Sequence, residues 1–185
     1  MKNKNNGFTL IELLLGIAII TIVLGQAIPS FNQLIEKRKA SANVQRLMQT
    51  LQLSRTTAIT ENTTVTICPT NDGINCNSNW SDGYLSFKDI NNNRTFDSGD
   101  EKLVEYLTHD AKSQTSWRAF GVRSSLQWLP TGITNHQNGS FELCYDSKAE
   151  LARGLFITKA GRIRNSKDLD GDGIHENATG SRIRC

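Results

Sequence analysis

The sequence lacks the short motifs that mark the common classes of enzyme. It contains no HExxH, no GxSxG and no glycine-rich phosphate loop, and its histidines, His109, His136 and His175, are scattered on polar stretches. No two cysteines have the CxxC spacing of zinc and thioredoxin-type sites. The net charge is only +3, so the overall charge does not call for an anionic partner. We therefore expect no enzymatic activity and no resident cofactor.

A long hydrophobic run near the start is the strongest feature that is present. Residues 8–28 read FTLIELLLGIAIITIVLGQAI, and Glu12 is the only charged residue among them. As a helix this length spans a bilayer, and Lys2 and Lys4 in front of it favour a cytoplasmic leader. A secretory signal peptide fits poorly, because the run is too long, a glutamate interrupts it and no clear A-x-A site follows. A plain membrane anchor leaves Glu12 unexplained, since a carboxylate near the bilayer is costly without a partner.

Residues 7–12 read GFTLIE and resemble the leader motif of type IV pilins, as do the hydrophobic run and Pro29 after it. The resemblance implies that a prepilin peptidase cuts between Gly7 and Phe8 and methylates the new amine of Phe8. It also implies that Glu12 pairs with the N-terminal amine of a neighbouring subunit during assembly. The protein would then cross the inner membrane once, carry a periplasmic head and assemble with other pilins or minor pilins into a pilus or pseudopilus.

The rest of the chain has the pattern of one helix followed by short strands. Residues 30 to about 60 contain no glycine or proline, and their apolar residues recur at helical spacing, which predicts an amphipathic helix laid on a core. The residues that define this spacing are Val44, Leu47, Met48 and Leu51. Past Asn62, short runs separated by Gly, Asn and Asp predict strands. The predicted strands are Thr63–Cys68, Tyr84–Asp89, Lys102–Leu107, Ser116–Val122, Leu126–Leu129, Phe141–Tyr145 and Leu155–Arg164.

These elements predict an α+β fold, in which a long N-terminal α-helix packs on an antiparallel β-sheet head. Their order, with LPTG at 129–132 and GSFELC at 139–144, is similar to that of the GspH/FimT family of minor pilins and pseudopilins. We expect a leader peptide at 1–7 and the transmembrane, filament-core half of the helix at 8–29. The amphipathic half follows at 30–62, and a β-rich head with a disulfide-tethered tail occupies 63–185.

The four cysteines form an even set, and outside the cytoplasm they predict two disulfides. Four cysteines allow three pairings. We favour Cys68–Cys76, which closes a small loop, and Cys144–Cys185, which ties the C-terminal tail to the head.

Two Asp-rich segments resemble calcium loops. In the first, residues 89–97, Arg94 occupies the position where an EF-hand loop needs glycine, which favours a turn over a bound ion. The second, residues 168–176, has glycine in that position, and its candidate ligands are Asp168, Asp170, Asp172 and Glu176. Thr179 stands where an EF-hand has its bidentate glutamate. Calcium binding, with an adhesin-like head that the ion stabilises, and a flexible acidic loop both remain open for this segment.

Basic residues flank the second acidic loop and form two Arg-Ile-Arg units. The cluster consists of Lys159, Arg162, Arg164, Lys167, Arg182 and Arg184. In an extended chain the two arginines of each unit share a face about 7 Å apart, a spacing that suits successive phosphates. Gly161 would let the backbone turn and approach a ligand closely. A solvent-exposed edge strand that carries protective charges is the alternative explanation.

Residues 161–164 read GRIR and match the GRxR motif of FimT-type minor pilins, which are linked to DNA binding during natural transformation. The resemblance implies that Arg162 and Arg164 contact DNA; the other four basic residues are inferred from clustering alone. We therefore predict a minor pilin that binds extracellular double-stranded DNA without sequence preference and supports its uptake. The alternative is a structural minor pilin, or the H-type pseudopilin of a type II secretion system, that does not bind DNA.

Overall fold

The computed structural model describes residues 9–108, 110–121 and 124–185. The predicted cleavage and methylation site at Gly7 and Phe8 lies outside these residues, as do His109 and the end of the predicted strand Ser116–Val122. The chain forms two compact units, Met1–Arg38 and Lys39–Cys185.

One helix, α1 (Leu10–Thr60), follows directly after Thr9 and includes Pro29. A capping box starts it: Thr9 Oγ1 accepts the N–H of Glu12 at 3.3 Å, and the Glu12 carboxylate accepts the N–H of Thr9 at 3.0 Å. Among the residues described, α1 is the one helix long and apolar enough to cross a membrane. This agrees with the span predicted from residues 8–28.

Eight strands follow the helix in the described part of the chain. They are β1 (Val65–Pro69), β2 (Gly83–Lys88), β3 (Glu101–Leu107), β4 (Ser113–Ala119), β5 (Leu126–Trp128), β6 (Gly139–Tyr145), β7 (Lys148–Ile157) and β8 (Ile163–Asn165). They form two four-stranded antiparallel sheets, sheet A in the order β3–β2–β1–β5 and sheet B in the order β4–β6–β7–β8. The short strand β8 is thus an edge of sheet B.

The core of the second unit lies between the C-terminal half of α1 and both sheets. Leu51 of α1, Ile67 of sheet A and Phe141 of sheet B are fully buried in the same cluster. Helical spacing places Leu47 and Leu51 on one face of α1, and alternation along each strand supplies one apolar face to the core. The α+β class predicted from the sequence, a long helix packed on antiparallel sheet, is confirmed.

The last predicted strand, Leu155–Arg164, is wrong in both its start and its continuity. β7 begins at Lys148, and a turn after Ile157 separates it from β8. β7 begins earlier because Asp146 and Ser147, with φ of 54° and 53°, form a two-residue turn that pairs Tyr145 with Lys148. Left-handed φ at both central residues matches the right-handed twist of a hairpin, but Asp-Ser is not the Asn-Gly or Asp-Gly signal that usually marks such a turn.

Both disulfides favoured from the sequence are present in the structure. Cys68 is bonded to Cys76, and Cys144 is bonded to Cys185, each with Cα atoms 5.6 Å apart. The second disulfide joins β6 to the tail that follows β8. It therefore holds the tail against sheet B.

Candidate nucleic-acid interface

The turn between β7 and β8 is fixed by contacts with a neighbouring loop. Gly161 has φ of +80° and donates its N–H to the carbonyl of Thr158 at 2.8 Å. A Cβ at Gly161 would overlap the carbonyl oxygen of Gly132 and lie 2.7 Å from Nε of Arg55. Gly161 therefore lets the backbone come close to Gly132 of the same chain. The sequence had predicted that it would let the backbone come close to a ligand.

Arg162 and Arg164 leave this turn on one face of the chain, as alternation predicts. Both are exposed, whereas Ile163 between them is partly buried and packs against the main core. Arg164 pairs with Phe156 of β7 in antiparallel register, and the carbonyl of Arg162 accepts the N–H of Thr158 at 3.0 Å. The two guanidinium groups are therefore carried on the outer face of sheet B, away from the core.

A third arginine, which the sequence analysis missed, belongs to the same face. In register across sheet B lie Arg118 of β4, Ser140 of β6, Phe156 of β7 and Arg164 of β8. Residues in register share a face, so Arg118 and Arg164 lie at the two ends of one row across the sheet. Both border a shallow groove that Lys159 also lines. Strand register, which sequence alone does not reveal, was the missing signal.

We call Arg118, Lys159, Arg162 and Arg164 the basic edge. All four residues are exposed. Within residues 9–108, 110–121 and 124–185, none of them forms an ion pair with a carboxylate. Their charges are therefore available to an anion from solution.

The remaining predicted contacts are placed differently. Lys167 is exposed just beyond β8, while Nη2 of Arg182 forms ion pairs with Asp172 and, at 3.9 Å, with Asp170. Arg184 lies beside Cys144 of β6, where its carbonyl is 4.0 Å from the cysteine sulfur. Cys144 is four residues along β6 from Ser140, which corresponds to about 13 Å. Arg184 is thus set apart along sheet B from the row that contains Arg118 and Arg164.

Ile183 holds the second Arg-Ile-Arg segment, residues 182–184, in place. It is 1% exposed and packs over Gly154, where a Cβ would come within 3.2 Å of Ile183 Cδ1. Its N–H is donated to the carbonyl of His175 at 2.9 Å. With Ile183 buried against sheet B, Arg182 and Arg184 are both exposed, in the alternation that the sequence predicts.

The acidic loop of residues 168–176 is ordered by its own backbone. The Asp168 carboxylate accepts the N–H of Gly171 at 2.7 Å and that of Gly173 at 2.9 Å. The hydrogen bond from Gly173 is the main reason that the pKa of Asp168 lies below its ordinary value. One ligand oxygen from each of four residues lies within 4.8 Å of the others; these residues are Asp168, Asp170, Asp172 and Glu176.

The other Asp-rich segment uses its oxygens internally. Asp89 is fully buried and accepts the hydroxyl of Thr66 at 2.6 Å and the amide of Gln127 at 2.8 Å. It also accepts the backbone N–H groups of Asn93 and Arg94, each at 3.0 Å. These bonds form a structural turn, as the arginine in the glycine position indicated.

Comparison with known proteins places this geometry in context. The family model of the type II transport protein GspH matches residues 43–161, and that of the prokaryotic N-terminal methylation motif matches residues 2–25. Two crystal structures of the type IV minor pilin FimU from Pseudomonas aeruginosa strain PAO1 are similar, with TM-scores of 0.55 and 0.54. Their identities are 18% and 17%, and the alignments cover 70% and 69% of this chain and 89% and 92% of FimU. No curated protein sequence matches the chain.

Proposed function

The chain belongs to the family of the type II transport protein GspH, which comprises minor type IV pilins and pseudopilins, and on that premise we propose that it binds DNA. The ligand we propose is extracellular double-stranded DNA, bound without sequence preference through the basic edge. Through this binding the subunit supports DNA uptake in natural transformation.

The N-terminal methylation motif and the apolar helix make the protein a single-pass, membrane-anchored pilin that assembles into a filament. Such a pilin has other pilins and a prepilin peptidase as its partners. We propose cleavage between Gly7 and Phe8 and methylation of Phe8, in accordance with the leader motif. Released from its cap on Thr9, the Glu12 carboxylate would pair with the N-terminal amine of the neighbouring subunit.

The observation that carries the DNA proposal is the exposed, unpaired state of the basic edge in the described structure. Guanidinium and ammonium groups without carboxylate partners can bind phosphates without first breaking an ion pair. Contacts to phosphate do not read sequence, so binding should be non-specific and strongly dependent on salt. We leave Arg182 out of the contact set because Asp172 already neutralises it, and Arg184 because it lies away from the edge.

The test compares DNA binding by the full chain in non-ionic detergent with that of the variant Arg162→Gln/Arg164→Gln. Four phosphate contacts predict a slope of log K against log salt of about −3.6, and loss of two contacts predicts about −1.8. We expect affinity to fall roughly tenfold or more on duplexes of unrelated sequence. Fluorescence anisotropy of labelled duplexes over a salt series measures both quantities.

A matched control removes two charges at the other end of sheet B. Lys112→Gln/Lys148→Gln has the same change in net charge, but both lysines pair with Asp146 and lie near Ser113 and Tyr145. We expect this control to bind nearly as tightly as the unmodified protein. If both double variants lost the same affinity for DNA, the effect would come from overall charge, and the basic edge would be refuted as the binding surface.

A purely structural role is the second candidate, and the match to the GspH model over residues 43–161 favours it. On this view the protein is a minor pilin or an H-type pseudopilin that does not bind DNA, and the arginines are a charged surface. Unchanged affinity and an unchanged salt slope in Arg162→Gln/Arg164→Gln would support this role.

A further inference from the structure

The acidic loop carries more negative charge than Arg182, its cationic partner in the described structure, can neutralise. Four carboxylates, from Asp168, Asp170, Asp172 and Glu176, place ligand oxygens within 4.8 Å of one another. The cation that pairs with them in the described structure is Arg182, which contacts Asp172 and Asp170. Like charges at this separation repel, so the cluster should favour an added cation.

Glu176 provides a second, independent observation. Its residue is 5% exposed, and its Oε2 accepts the N–H of Leu169 at 2.7 Å. Its other oxygen, Oε1, is buried and has no hydrogen-bond partner among the described residues. A buried carboxylate oxygen without a partner is costly and uncommon. One oxygen of Glu176 lies within 4.8 Å of an oxygen of each of the three aspartates, so a cation bound among them would contact the carboxylate to which the unpartnered Oε1 belongs.

The size and chemistry of the cluster point to calcium. All the donors are oxygens, which suit hard cations, and calcium binds oxygen at about 2.3–2.6 Å. Two oxygens on opposite sides of such an ion are about 4.6–5.2 Å apart, so oxygens that all lie within 4.8 Å of one another can surround it. Magnesium, with ligands at about 2.0–2.1 Å, needs a tighter octahedral set.

We propose that residues 168–176 bind one calcium ion through Asp168, Asp170, Asp172 and Glu176. Thr179 stands where an EF-hand has its bidentate glutamate, so the affinity should be that of weak extracellular sites, on the order of 10⁻⁴–10⁻³ M. Arg182 competes with the ion because both bind Asp170 and Asp172. This proposal does not depend on DNA binding.

The test is a titration of calcium chloride into the chelator-treated full chain in detergent, and isothermal titration calorimetry measures the heat of binding. We expect one site, at least tenfold weaker binding of magnesium, and a rise in Tm of about 3–6 °C in about 10 mM calcium. Asp172→Asn/Glu176→Gln should abolish the heat. Asp170→Asn, at an exposed position whose loss does not disturb the core, should weaken binding and keeps the test valid if the double variant misfolds.

Arg182→Gln gives a prediction of opposite sign. Removal of the competing guanidinium should tighten calcium binding by about threefold. Asp97→Asn/Asp100→Asn, at the end of the other Asp-rich segment and just beyond it, is the charge-matched control for Asp172→Asn/Glu176→Gln. It should leave calcium binding unchanged. The absence of calcium heat in the unmodified protein, or heat that persists in Asp172→Asn/Glu176→Gln, would overturn the proposal, as would equally tight magnesium binding.

Discussion

Gly161→Ala tests the contact that sets the direction of β8. Alanine at φ of +80° adopts the left-handed conformation, which costs about 1–2 kcal/mol. Its Cβ would also overlap the carbonyl of Gly132, which accepts a hydrogen bond from Nε–H of Arg55 at 2.8 Å. Loss of that charged hydrogen bond costs a further 1.5–3 kcal/mol or so. We therefore expect the free energy of unfolding to fall by about 3–4 kcal/mol.

Gly180→Ala is the matched control for this substitution. Gly180 has φ of +83°, but its Cβ would have no heavy atom within 4 Å in the described structure. It should therefore show the conformational cost alone, about 1–2 kcal/mol. The difference between the two variants measures the close approach of Gly161 to Gly132.

Urea unfolding followed by tryptophan fluorescence supplies the measurement. All three tryptophans, Trp80, Trp117 and Trp128, lie in or against the core of the second unit, so their emission reports its unfolding. The midpoint should shift while the slope stays constant. If Gly161→Ala destabilises the protein no more than Gly180→Ala, the contact with Gly132 does not hold the turn, and the argument for how Arg162 is positioned fails.

Two further predictions concern buried polar groups. Burial raises the pKa of Tyr84 to about 12. The folded state therefore keeps a phenol proton that the unfolded chain releases near pH 10. The contribution of this proton to the free energy of unfolding is complete below pH 10 and is lost as the pH rises toward 12. Between these values the unmodified protein should lose about 2–3 kcal/mol more than Tyr84→Phe, and parallel pH profiles of unfolding free energy would contradict this. Asp89→Ala should cost about 3 kcal/mol in urea unfolding because Gln127 loses its buried acceptor; a loss below about 1 kcal/mol would show that this network does not stabilise the fold.

The N-terminal half of the fold could be predicted because its signals are local. The hydrophobic run lies almost wholly within one helix. The spacing of Leu47 and Leu51 likewise needs only the period of the helix to identify the buried face. The break between β7 and β8 was missed because one strand was predicted to run through Gly161, although a turn of the backbone had been assigned to this residue.

The candidate site was only partly predictable, since it depends on long-range pairing. Arg162 and Arg164 were identified from local sequence, by their alternate spacing and by the resemblance of residues 161–164 to the GRxR motif. Arg118 is 46 positions before Arg164 and joins it only through the register of four strands. The pairing of Arg182 with Asp172 also depends on how the tail folds back, and the sequence had instead assigned Arg182 to a contact with DNA.

The Cys144–Cys185 disulfide closes a covalent ring around the whole segment that carries Lys159, the acidic loop and Arg184. A proteolytic cut inside that ring, for example at the exposed Gly171, would linearise the segment without releasing either piece. The nicked subunit, heavier by one water molecule, would remain a single species under non-reducing conditions and separate into two chains only after reduction. Outside the cell, where proteases are common and reductants scarce, a single cleavage would therefore not shed the tail from the filament.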